Sequence, residues 1–150
     1  MKAMSSDCIF CKIVRKELPA SVVREDTATL AFMDIRPMNP GHVLVVSKAH
    51  AAYLEELPPG GAGPIFEAAR EIAPALRRSG IRCVAVSMYL ANGREAGQEV
   101  SHVHLHMIPR FADDGFGLRV TPGYGRVAGR EELDTNAAKI RAGLSASGGR

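Results

Sequence analysis

Tryptophan is absent from this 150-residue chain, aromatics make up only 5% of it, and no basic run interleaves with the few that occur. A nucleic-acid surface of stacking rings and clustered cations is therefore not expected. No window approaches the roughly 18 apolar residues of a membrane span. The opening Met1-Lys-Ala-Met-Ser-Ser-Asp7 lacks the apolar stretch of a signal peptide, so a soluble cytoplasmic protein without a membrane partner is the expectation. Three cysteines are too few, and odd in number, for a disulfide framework, which leaves reduced thiols. A net charge of +3, with both signs spread along the chain, gives a mild pull toward anionic ligands.

The 46% apolar content suffices for one compact core. The segment 27–47 reads as a hairpin: Leu30-Ala-Phe-Met33 and Val43-Leu-Val-Val46 flank the turn-rich Arg36-Pro-Met-Asn-Pro-Gly41. A short helix is expected over Ala51–Leu57. A longer one carries Ile65, Ala69, Ile72 and Leu76 on one face, with a kink at Pro74 and a C-cap at Gly80. Cys83–Leu90 reads as a strand with Cys83 as a small core residue, 91–97 as a loop, and Val100–Ile108 as a strand closed by Pro109. Residues 1–110 form the expected domain core. Residues 111–150 form a C-terminal extension: a glycine-rich loop, a short helix over 130–144 bearing Leu133, Ala137, Ile140 and Leu144, and a disordered end from Ser145.

Chemistry concentrates in His102-Val-His-Leu-His106. On a strand these three histidines share one face, while Val103, Leu105 and Met107 share the other. The outer pair then lies roughly 13 Å apart at the backbone, so one zinc at about 2.1 Å takes two neighbours but not easily all three. The spacing favours divided labour. Cys8-Ile-Phe-Cys11 has the spacing of half a structural zinc site, and His50 and His102 are the natural remaining donors. The alternatives are a redox pair, which would want a strand before it, and a buried pair without a ligand.

These motifs resemble the histidine triad (HIT) family. The likeness is carried by His102-Val-His-Leu-His-Met-Ile108 together with Cys8-Ile-Phe-Cys-Lys-Ile13, Leu30-Ala-Phe-Met-Asp-Ile35, Gly41-His-Val-Leu-Val-Val46, Lys48-Ala-His50 and Ala96-Gly-Gln98. It implies an α+β fold with an antiparallel sheet of about five strands and two main helices, and a homodimer whose sheets join. It also implies that His104 attacks the α-phosphate of a purine nucleotide to form a nucleotidyl-histidine, that His106 donates to the phosphoryl oxygens, and that His42 either orients the triad or serves as a structural hydrogen-bonding group. Asp34 and Ile35 would hold ribose and base, and Gln98 would contact phosphate or leaving group. Phe10, Phe32 and Leu44 either wall the base or pack the core.

Two departures from the family's phosphoramidase pattern fall on the leaving-group side: Glu99 follows Gln98 where Ser or Thr is frequent, and Ala91 precedes Asn92 where Asn is frequent. The implied function is a nucleotide hydrolase acting on purine nucleoside phosphoramidates or related adenosine nucleotides. The alternatives are a dinucleoside polyphosphate hydrolase, a nucleotidyltransferase, a catalytic metal site at the triad, and a zinc-stabilised nucleotide-binding protein of little turnover.

Overall fold

The computed structural model describes residues 7–147. It opens with α1 (Ile9–Val14), followed by β1 (Val22–Glu25), β2 (Thr29–Met33) and β3 (Val43–Ser47). After these come α2 (Gly63–Arg78), β4 (Ala85–Tyr89), β5 (His104–Arg110) and α3 (Arg130–Ser147). The five strands form one antiparallel sheet in the order β1-β2-β3-β5-β4, so the α+β class with about five strands holds.

Alternation along the central strands sorts side chains onto two faces. Ala31, Val43, Val45, Leu105 and Met107 pack against Ile65, Ala69, Ile72 and Leu76 of α2. Leu30, Phe32, Leu44 and Val46 pack against Phe10 of α1 on the opposite face. Full burial of each large aliphatic contributes about 1.5–3 kcal/mol, so these paired layers hold β2, β3 and β5 as a fixed frame.

Pro64 stands in the first turn of α2, where its missing N–H costs no bond, and Gly80 follows the helix at φ +85°. The helix continues through Pro74, held on both sides by buried Ile72, Ala73 and Leu76. Instead of the helix expected over Ala51–Leu57 there is one 3-10 turn, Leu54–Glu56. Cys83 lies just before β4 and packs, partly buried, on the main core. Neither α1 nor β1 was expected from the sequence.

The histidine strand is displaced from its expected bounds. Its ladder with β3 ends at the pair Val46–His104, and upstream the Val103 amide bonds to the Ala51 carbonyl instead. His102 therefore precedes the strand. At the other end Pro109 lies inside β5 opposite Val86 of β4, because β3 has already ended at the pair Val43–Met107 and no amide is required on that side.

The chain divides into two compact units, Met1–Phe116 and Gly117–Arg150. Within the first, the buried Asp114 carboxylate accepts hydrogen bonds from Arg110, Asn39 and the amides of Phe111 and Phe116, which ties residues 110–116 to the end of β5. In the second, α3 runs on through Ser145, Ala146 and Ser147, beyond the end expected at 144, and residues 148–150 lie outside the described ones.

Candidate active site

Four residues from three chain segments converge. Cys8 stands at the N-cap of α1 and Cys11 inside it, His50 follows β3, and His102 precedes β5. Their ligating atoms all lie within 4.8 Å of one another. Cys8 Sγ is 3.4 Å and Cys11 Sγ 3.6 Å from His102 Nδ1, while His50 Nδ1 is 3.3 Å from Cys11 Sγ and 3.4 Å from His102 Nδ1. A tetrahedral zinc with the usual bond lengths has ligand-to-ligand edges of about 3.3–3.8 Å, which these separations match.

The proton positions fit a cation as well. His102 Nε2 donates to the Ser47 carbonyl at 2.7 Å, so the hydrogen sits on Nε2 and the Nδ1 lone pair faces the cluster. Burial, the largest influence, pulls the His102 pKa down to about 4, opposed by the Ser47 carbonyl. A neutral imidazole and two ionisable thiols crowded this closely are the donor set that zinc takes.

Two residues on, the same logic gives the opposite ring nitrogen. His104 is buried on β5, and its Nδ1 donates to the carbonyl of His102 at 2.7 Å. A carbonyl has no hydrogen to offer, so His104 keeps its Nε2 lone pair. The ring is bracketed by Phe10 at 5.2 Å and His106 at 4.8 Å between centroids. Burial lowers its pKa and keeps it neutral, against the opposing pull of the His102 carbonyl, Asp34 and Glu99.

A directional chain fixes the third histidine. The Met38 amide donates to His42 Nδ1 at 3.2 Å, which leaves the His42 hydrogen on Nε2. That Nε2 lies 2.9 Å from His106 Nδ1 and donates to it. His106 must then carry its own hydrogen on Nε2. Burial first, then the neighbouring His104 and His42, hold the His106 pKa at about 4. Gly41 sets this up: it adopts φ +91°, and a Cβ there would meet Ile81 and Pro109 at 3.0 Å.

Asp34 completes the group, its carboxylate within 4.8 Å of His42 and His106. One oxygen accepts the Arg36 amide at 2.8 Å; the other stands 3.7 Å from His42 Nδ1. Ile35 beside it is 90% exposed, which leaves it available to a ligand. Glu99 is exposed too and pairs with Arg36 at 3.8 Å.

Gln98 and Asn92 both hydrogen-bond to neighbouring parts of the chain. Gln98 accepts from the Gly93 amide and donates to the carbonyls of Ala52 and Val100, bracing the loop before the triad. Asn92 accepts from the Leu54 amide and donates to Glu55. Phe10, Phe32 and Leu44 are buried in the α1-side core.

A family model for the HIT domain matches residues 15–113. The chain belongs to the HIT family. An uncharacterized HIT-like protein of Borreliella burgdorferi is 44% identical to this HIT chain over 114 residues, 75% of the chain and 82% of that protein. The adenosine 5'-monophosphoramidase hnt1 of Schizosaccharomyces pombe is 37% identical over 113 residues, 75% and 80% of the two. A crystal structure of a HIT family member from Bacillus subtilis superposes with a TM-score of 0.82 at 35% identity, covering 91% of this chain and 96% of that one. A zinc-bound histidine triad protein from Mycobacterium smegmatis superposes at 0.71 and 33% identity, covering 94% and 97%.

One further neighbour in this HIT site has no signal in the sequence. Tyr89 of β4 stacks on the His106 ring, a contact that depends on the β4–β5 register. Nor did the sequence reveal the carbonyls of Ser47 and His102 or the amide of Met38, whose roles follow from backbone placement alone.

Proposed function

We propose that this HIT protein hydrolyses nucleotides at the α-phosphate, with purine nucleoside phosphoramidates or related adenosine nucleotides as substrates. The observation that carries the reading is the bond from His104 Nδ1 to the His102 carbonyl, which leaves Nε2 as an unprotonated nucleophile in a dry site. In the first step a His104 Nε2–phosphorus bond forms and the bond to the leaving group breaks. In the second, water cleaves the nitrogen–phosphorus bond and releases the nucleoside monophosphate.

His106, with its hydrogen on Nε2, donates to the phosphoryl oxygens as charge builds there. His42 holds that hydrogen in place by occupying the other nitrogen. The free oxygen of Asp34 accepts from ribose hydroxyls, and exposed Ile35 lies against the base. Glu99 and the nearby Gln98 and Asn92 border the leaving-group side. The S. pombe relative's name as an adenosine 5'-monophosphoramidase supports the substrate class.

Zinc held by Cys8, Cys11, His50 and His102 would join α1 to the ends of β3 and β5, a structural crosslink that takes no part in the reaction. The zinc-bound M. smegmatis structure supports this assignment. We assign the protein to the cytoplasm, where its three cysteines stay reduced. No described helix is long and apolar enough to cross a membrane. A homodimer would join two sheets along β4, an edge strand whose Met88, with nearby Val84, is exposed.

Mass spectrometry of the intact protein mixed with an adenosine phosphoramidate should show a transient nucleotidyl adduct that is absent from His104→Ala. Normal turnover in His104→Ala would refute the reading.

A further inference from the structure

His106 is held along one edge only by its bond to His42, and a single bond leaves an imidazole free to swing about it. Two rings close that freedom. His104 lies on one side with centroids 4.8 Å apart at 59°. Tyr89 lies flat against the ring, with centroids 4.2 Å apart and planes 11° from parallel.

The stack is built into the sheet, because Tyr89 and His106 are directly opposed in the β4–β5 ladder. Cross-strand partners sit close enough for two rings to cover each other on one face. Tyr89 is itself half-buried, so its ring has little room to leave. Its hydroxyl makes no hydrogen bond among the described residues, which leaves the ring face as its contact with the site.

We infer that Tyr89 is a positioning residue: its ring fixes the plane of His106 so that the Nε2 hydrogen stays aimed at the phosphoryl oxygens. This rests on the reading of His106 as phosphate donor. The stack adds a constraint that the His42 bond cannot supply, since that bond sets the ring's edge and not its tilt.

The test compares Tyr89→Leu, which removes the ring, with Tyr89→Phe, which keeps it. Tyr89→Leu should lower kcat about two- to tenfold, the range of an aromatic pair, with KM within about twofold. Tyr89→Phe should stay near wild type. In a His106→Ala background, Tyr89→Leu should cause no further loss. Unchanged kcat in Tyr89→Leu overturns the inference, as does an equal loss in Tyr89→Phe or an undiminished effect without His106.

A second readout needs no turnover. The upfield ring-current shift of the His106 ring protons in the NMR spectrum should survive in Tyr89→Phe and vanish in Tyr89→Leu. Tyr89→Met serves if Tyr89→Leu does not fold. If the wild type hydrolyses no nucleotide, the functional reading has failed, and the stack then stands or falls on this NMR shift alone.

Discussion

His102 and His104 are two residues apart, both buried, and both touch the ring of Phe10, yet the fold equips them for opposite tasks. His102 gives its Nε2 hydrogen to the Ser47 carbonyl and turns a bare Nδ1 toward two sulfurs and the nitrogen of His50. His104 gives its Nδ1 hydrogen to the His102 carbonyl and keeps a bare Nε2. The cluster around the first converges from three segments on one point, as a metal requires. The cluster around the second runs in one direction, from the Met38 amide through His42 to His106, as a hydrogen-bond donor to substrate requires. Residue type alone does not distinguish the proposed ligand from the proposed nucleophile; the carbonyl that each ring meets does.

The sharpest break in this comparison is His104→Ala, which should lower turnover by on the order of a thousandfold or more while leaving the melting temperature and metal content near wild type. Cys11→Ser should do the reverse at the other cluster. Zinc content measured by mass spectrometry should fall, and the melting temperature should drop by roughly 10 °C as the crosslink is lost. A fully stable, zinc-free Cys11→Ser protein would separate the cluster from folding. His42→Ala should fall between these, costing about 10- to 100-fold in kcat because it frees His106 to take the wrong tautomer.

The frame of the site was legible in the sequence because burial enforces it. Val43, Val45, Leu105 and Met107 alternate with Leu44, Val46, His104 and His106, and a slip of one residue would put histidines against α2. α1 was not legible: six residues with a side-chain-free cap hold together through the residues they pack on. β1 is four mostly exposed residues, too short for a pattern. Pro109 misled because the rule that proline ends a strand assumes a neighbour on both sides. Gln98 and Asn92 carry the polar groups of a ligand contact, and the sequence did not reveal that these groups also bond residues 52–55.

A smaller effect concerns pH. Burial holds the His106 pKa at about 4, with His104 and His42 lowering it further, Asp34 opposing, and neutral Tyr89 on its face. The His42 pKa is lowered too, again chiefly by burial. Below the ordinary 6.5 the unfolded chain takes up protons that the folded one refuses, so stability present above that pH is lost as the pH falls toward 4. Thermal melts across this window should show a steady decline that His106→Asn makes shallower. An unchanged slope in His106→Asn would place the buried charge cost elsewhere.

The central claim is that backbone groups, the His102 carbonyl for His104 and the Met38 amide acting through His42 for His106, assign the tautomers, and long-range proton–nitrogen NMR correlations of the histidine rings test it directly. The account predicts that His104 carries its hydrogen on Nδ1 and His106 on Nε2 in the same protein at neutral pH. A His104 ring protonated on Nε2 would contradict it, because the Nε2 lone pair that attacks phosphorus would then be gone.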